Sequence, residues 1–355
     1  MTYRYPVKHS LLLLILATCF ISCTNTKKVE TVEPAFYFWK KSSLRLENSK
    51  EVNRLSIRKI YVKLFEVDYS EARGNFPYSK NRPSGYDYKD YDSITFVPTI
   101  FIKNEIFPYN DEQSLDKLAD NIVYLVQKYS SEELYGGKAN IFSYDEIQLD
   151  CDWTKSTKEK YFYLLKKIKE LSKKKISCTV RLYPYKYPDI MGVPPVDKVT
   201  LMCYNLIKPL SQQSKNSILD IEELKKYLNE FRSYPVHTDI ALPTFYWTQH
   251  YQNNRFIRLM DISTNEVKKF ATAVKPLWYQ VERDTSINYN IYLKAGDQLK
   301  CEDVPAAAIT EVISIIKKNV ALDKNITVSL FDLDDSTFAQ YTHEELSRFF
   351  SDFTK

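Results

Sequence analysis

The sequence predicts an α/β protein, specifically a (β/α)8 TIM-like barrel with a small β-rich insertion after the seventh strand. Three observations predict it. Eight short apolar or alternating runs read as strands, and amphipathic helical stretches fall between several of them. Roughly 330 residues remain once a leader is set aside, a length that suits one large domain of this architecture.

The first element is the leader. Arg4 and Lys8 form a basic n-region, and the apolar run from Leu11 to about Ile21 is too short to span a bilayer comfortably. Phe20-Ile21-Ser22-Cys23 follows, similar to a bacterial lipobox, with a small residue before the cysteine. This divides the chain into a signal peptide (1–22), a lipidated polar tether (23–33) that begins at Cys23, and a barrel domain (34–355). The expected location is the bacterial cell envelope, with a membrane as partner through the lipid on Cys23; the leaflet is not readable from sequence.

The strands follow in order at 35–40, 58–67, 94–102, 147–152, 176–183, 199–204, 238–246 and 326–331, rich in β-branched and aromatic residues. Pro98 and Pro243 inside two of these runs predict bends or bulges near the barrel mouth. Helical periodicity places Leu115, Leu118, Ile122 and Leu125 on one face of 114–128. It does the same for Tyr161, Leu164, Leu165, Ile168 and Leu171 within 157–172. Ser156 with Glu159 reads as a capping box for the latter helix. Further helices are expected over 221–231, over 305–318 after Pro305, and from Thr342 with Glu345 at its start. Residues 248–303 break the rhythm with short β-like runs at 255–259, 278–282 and 289–293, which is the predicted insertion.

Composition narrows the function. Formal charge falls from +5 to +3 when Arg4 and Lys8 leave with the leader, with acids and bases interspersed, so nothing points to nucleic acid. Cys151, Cys178, Cys203 and Cys301 include no C-x-x-C, and most sit in apolar runs, so buried free thiols are expected. The four histidines lack ligand spacing, so no metal site is expected. With six glycines and no G-x-G-x-x-G there is little material for a phosphate-binding loop, and no cofactor is expected. Trp39, on strand one, reads as core.

The most informative stretch is Asp145-Glu-Ile-Gln-Leu-Asp-Cys-Asp-Trp153. Its period-two alternation puts Gln148, Asp150 and Asp152 on one face of a strand. Paired carboxylates at a strand end suit acid–base chemistry on a sugar or ester; a solvated strand face or a helix cap has the same pattern. Arg181 ends strand five with Tyr183 and Tyr185 nearby and can pair with Asp150 or Asp152. Asp68, Trp247, Asp332 and Asp334 fall at other strand ends, which form the active face of a barrel.

Taken in order, these segments resemble family-18 glycoside hydrolases, the chitinases and endo-β-N-acetylglucosaminidases. Strand four of that family reads D-x-x-D-x-D-x-E, and Asp145, Gln148, Asp150 and Asp152 fill those places. Met202-Cys203-Tyr204-Asn205 is similar to its M-x-Y-D on strand six. Ala241-Leu242-Pro243-Thr244-Phe245-Tyr246-Trp247 is similar to the end of its strand seven, and Phe331-Asp332-Leu333-Asp334-Asp335 stands where its last strand has Trp and an Asp-rich turn. The chain also resembles envelope lipoproteins with glycosidase-like barrels. The resemblance implies Asp152 as general acid, with Asp150 and Tyr204 holding a substrate acetamide. It implies Gln148, Asn205, Arg181, Tyr246, Trp247, Phe331, Asp332 and Asp68 as glycan-contacting residues.

The chain departs from the family pattern at several of these places. Asp152 stands for Glu and is shorter by one methylene, Gln148 and Asn205 stand for Asp, and Phe331 stands for Trp. Three functions are therefore carried forward. A hydrolase of N-acetylated glycans needs Asp152 in a cleft as a proton donor. A glycan-binding lipoprotein without turnover needs an aromatic-lined cleft whose carboxylates are paired with Arg or Lys. A scaffold, or another barrel chemistry, needs a filled mouth or an exposed apolar patch.

Overall fold

The computed structural model describes residues 28–39, 46–81, 91, 93–134, 137–210, 214–288 and 291–355. The expected signal peptide, Cys23 and most of the expected tether lie outside the described residues. Eight parallel strands form the barrel: Thr31–Phe38, Lys59–Ser70, Thr95–Ile102, Glu146–Asp150, Lys175–Arg181, Lys198–Met202, Thr238–Pro243 and Asn325–Phe331. Their hydrogen-bonded order runs one, eight, seven, six, five, four, three, two, and strand one also pairs with strand two, which closes the ring.

Each strand is β-rich in propensity and buried on both faces, as parallel strands covered by helices must be. Outward-facing Ile, Val and Leu pack under the helices Glu112–Tyr129, Lys158–Ser172, Ala306–Asn319 and His343–Ser351. Strand two overshoots the barrel and turns back into an antiparallel strand, Gly74–Tyr78, which the sequence reading did not anticipate. Its pairing with strand three shifts register between Lys63 and Phe65, close to Pro98.

Two local expectations change. Ser156 and Glu159 form no capping box: Thr157 is the N-cap and makes no capping bond. The turn is fixed instead by Thr154 N–H on Thr157 Oγ1 (2.9 Å) and by Thr157 Oγ1 on Asn104 Oδ1 (2.6 Å). The capping box before the preceding helix is built by Asp111 and Ser114, and the one at Thr342 and Glu345 forms as expected. Short helices at Leu182–Lys186 and Pro188–Met191 follow strand five, in a stretch with no helical period.

The insertion after strand seven contains a five-stranded antiparallel sheet ordered 255–260, 247–252, 298–302, 278–281, 271–275. Met260, Ile262, Val267, Val281, Leu293 and Leu299 give it a small core of its own. Glu302 fastens it to the barrel. Its buried carboxylate accepts from Ser217 N–H (2.9 Å), Ser217 Oγ (2.7 Å), Gln249 Nε2 (2.9 Å), Lys300 Nζ (2.6 Å) and Trp247 Nε1.

The base of the barrel, where the strands begin, is closed by charge. Lys198 Nζ lies 3.0 Å from both Glu146 and Asp239 and 3.2 Å from the Tyr61 hydroxyl. Asp239 also accepts from Thr327 N–H at 2.6 Å. Burial pushes the Asp239 carboxyl up, but His237 and Lys198 outweigh it and hold it down at about 2. Removing the cation leaves two buried carboxylates facing each other. Lys198→Met is therefore expected to lower stability by about 3–5 kcal/mol, read from urea unfolding at neutral pH.

Candidate functional site

The C-terminal strand ends gather most of the expected residues. Strand four ends at Asp150; of the three residues expected on one face, Gln148 and Asp150 point into the barrel and Asp152 sits just beyond the sheet. Gln148 is fully buried; its Oε1 accepts from the Tyr37 hydroxyl at 2.7 Å, and its Nε2 donates to Thr200 Oγ1 at 3.2 Å. An amide can accept and donate at once, so Gln148 completes a neutral chain across the barrel where a carboxylate could only accept.

Asp150 is buried and accepts from Thr179 Oγ1 on strand five. Burial, and then the neighbouring Asp152 charge, push its carboxyl up to about 7, against the opposing pull of Thr179 and Arg181. Tyr204 is buried beside it, and burial with Tyr37 and Asp150 nearby raises its hydroxyl well above the usual tyrosine range.

Asp152 is clamped. Its Oδ1 accepts from Arg181 Nε and its Oδ2 from Arg181 Nη2 at 2.6 Å, a two-point carboxylate–guanidinium pair. Arg181 Nη1 donates at 2.9 Å to the carbonyl of Asn205, so the guanidinium is held from strands four and six as well as its own. Asn205 adopts φ 52°, a left-handed conformation that asparagine tolerates. Its N–H donates to Ile218 O at 2.8 Å, while its buried Oδ1 has no hydrogen-bond partner.

An aromatic wall stands beside these groups. Phe331 contacts Trp39 (ring centroids 5.5 Å), Tyr204 (5.3 Å) and Phe245 (5.5 Å), and Phe245 contacts Trp247 (5.4 Å). Trp39, expected in the core, is half-buried at the strand end, with the Lys63 ammonium 5.1 Å from its ring centroid. The Trp247 indole N–H is held by Glu302, which sets its ring angle from within the insertion.

Of the other expected residues, Asp68 and Tyr246 sit apart from this cluster and Asp332 borders it. Asp68 accepts from Lys103 Nζ (2.5 Å) and from Tyr69 N–H (2.8 Å), and the Lys103 bond lowers its carboxyl. The Tyr246 hydroxyl is pushed up to about 12 by burial and by Asp261 and Glu266, which groups it with the insertion. Asp332 is buried close to Tyr204. Thr179, Lys103 and Phe245 were missed. Of these, Thr179 had a signal: Ser177, Thr179 and Arg181 alternate with apolar residues along strand five.

A cavity of 420 Å³ opens next to the ion pair, lined by Asp152, Trp153, Arg181, Tyr183, Ile190 and Met191. That volume is within the range of small-ligand sites. A larger one of 900 Å³ lies outside the ring, near Tyr109, Asp111, Lys160 and Tyr163; no expected site residue lines it. Among the described residues no cluster of His, Cys, Asp and Glu is arranged to hold a metal ion.

No family model and no curated protein matches this sequence. Solved structures do. The Bacillus cereus spore cortex-lytic enzyme SleL matches over 92% of this chain and 75% of its own, with a TM-score of 0.52 at 14% identity. A chitinase from Bacteroides thetaiotaomicron matches over 91% of this chain and 96% of its own, with a TM-score of 0.52 at 12% identity. At such identities the likeness is one of fold: this chain has a glycosidase-like (β/α)8 barrel.

The Asp150 site has a stability signature. An unfolded aspartate ionises near pH 4 and the folded one near 7. Between those values the unfolded chain has released a proton that the folded chain keeps, so stability falls as pH rises through that window. Asp150→Asn retains an acceptor for Thr179 and removes the penalty. The variant is expected to exceed the parent by on the order of a few kcal/mol above pH 7, with the difference shrinking towards pH 4, in unfolding curves taken across that range.

Proposed function

We propose that this chain is an envelope lipoprotein that binds a glycan at the mouth of its barrel without hydrolysing it. The observation that carries this reading is the Arg181–Asp152 clamp. Both oxygens of Asp152 already accept from one guanidinium, so neither is presented to protonate a leaving oxygen. The carboxylate nearest to it, Asp150, faces inward to Thr179 and is buried.

Binding needs less than turnover does, and what it needs is present. Half-buried Phe331, Phe245, Trp247 and Trp39 offer ring surface for the apolar faces of sugars. Arg181 retains donor capacity beyond its three bonds. The ligand class, N-acetylated or related glycans, rests on the resemblance of strands four, six, seven and eight to chitinases; the spore cortex-lytic enzyme and the chitinase among the structural neighbours agree with it.

Hydrolysis is the second reading, favoured by the placement of Asp152 beside a cavity at the end of strand four. In it, substrate draws Asp152 off Arg181 and frees it as the acid. The two readings separate on the soluble chain from residue 24, titrated calorimetrically with chito-oligosaccharides, peptidoglycan fragments and N-glycans while products are followed by mass spectrometry. The binding reading predicts heat without products, and affinity of the same order in Asp152→Asn. It predicts roughly tenfold weaker binding in Phe331→Ala, equivalent to about 1.4 kcal/mol of lost ring contact. Products that appear with the parent and vanish with Asp152→Asn would replace it with the hydrolytic reading.

A further inference from the structure

The chain enters the barrel at its base, and that entry point has a consequence for how the protein sits on a membrane. Val29 is buried, and the N–H groups of Glu30 and Thr31 both donate to Lys324 O, at 2.7 and 3.0 Å. Thr31 is in register with Asn325, the first residue of strand eight. Lys28 and Val29 line a 660 Å³ hollow in the base together with His237, Asp323 and Lys355. The site residues lie at the opposite end: in the same strand pair Tyr37 is in register with Phe331, which carries the aromatic wall.

Two lengths decide the geometry. Only five residue steps separate Cys23 from Lys28, so that segment reaches at most about 18 Å even when fully extended. Strand one climbs seven residue steps from base to mouth, roughly 23 Å along its length. The tether is shorter than the barrel wall, so an anchor at Cys23 cannot reach round to the mouth.

We infer that the base of the barrel is a membrane-facing surface, set against phospholipid headgroups by the lipid on Cys23, with the mouth held pointing away from that bilayer. This rests on the reading of Cys23 as the lipidated residue. The ligand is then a glycan that approaches from the space beyond the anchoring leaflet. Sugars carried on lipids of that same leaflet lie at the wrong end of the molecule.

Single labels test it. Cys151, Cys178, Cys203 and Cys301 are all buried, and Cys23 is consumed by the lipid, so an added surface thiol labels selectively. Lys324→Cys marks the base, where Lys324 pairs with Glu30 in solvent; Tyr109→Cys marks the rim at a side chain 63% exposed. The lipidated full chain, purified from membranes, is reconstituted into phosphatidylethanolamine–phosphatidylglycerol vesicles with a short-range nitroxide quencher on the headgroups. The expected result is loss of most of the fluorescence at position 324 and little at 109, with neither quenched when Cys23→Ser is used. Quenching at 109 equal to or greater than that at 324, on vesicles that retain the protein, overturns the orientation alone. Failure of the protein to float with vesicles overturns the anchor, and the orientation with it.

Discussion

Closure of the parallel barrel constrains everything at its mouth. Strand one pairs with strand eight on one side and strand two on the other, so no edge is left and alternate side chains of every strand must point inward. The inward positions here are unusually polar: Tyr37, Gln148, Asp150, Thr179 and Thr200 meet in a dry space and must satisfy one another. Tyr37 to Gln148 to Thr200 forms one neutral chain, and Thr179 to Asp150 forms another contact. Water exclusion then sets the chemistry, because it drives Asp150 towards its protonated form. Asp152, one pleat further on and half in solvent, finds its partner in Arg181 instead.

Seen this way, the departures from the family-18 pattern form a set. Gln148 in place of Asp supplies the donor that Thr200 receives, which a carboxylate there could not do. Asp152 in place of Glu retracts the terminal carboxylate into reach of the guanidinium on the adjacent strand. Asn205 in place of Asp adopts a left-handed backbone and turns its carbonyl to the same guanidinium. Two of these substitutions thus converge on Arg181, while Gln148 completes the inner chain from Tyr37 to Thr200. An aromatic wall stands beside them, with Phe331 at its centre and Trp247 braced by Glu302. The mouth therefore combines partly exposed ring surface with an outer carboxylate that is already paired, the combination on which the proposed binding reading rests.

The eight strands and the insertion were legible because β-branched residues alternate or run continuously over each strand, and the helical periods between them are strong. The strand ends were not. The runs 147–152, 176–183, 199–204 and 238–246 all continue past the real ends at Asp150, Arg181, Met202 and Pro243. Residues that line a mouth keep the alternation of the strand that delivers them, so pattern alone cannot mark where hydrogen bonding stops. The sequence placed Arg181 within reach of two carboxylates, and only the three-dimensional offset between strands four and five selects Asp152. Trp39 was misread as core because a half-buried ring at a strand end has the same sequence context as a buried one. The helices after strand five, with Pro184 and Pro188, carry too few residues for a period.

In the proposed binding reading, Asp152 stays clamped while a glycan occupies the mouth. A crystal structure of the chain from residue 24 with a bound chito-oligosaccharide is the decisive test. Sugar rings are expected against Phe331 and Trp247, with both Asp152 oxygens still on Arg181 and no carboxylic acid within hydrogen-bond distance of a glycosidic oxygen. A complex in which Asp152 has left Arg181 and lies within hydrogen-bond distance of that oxygen would contradict it.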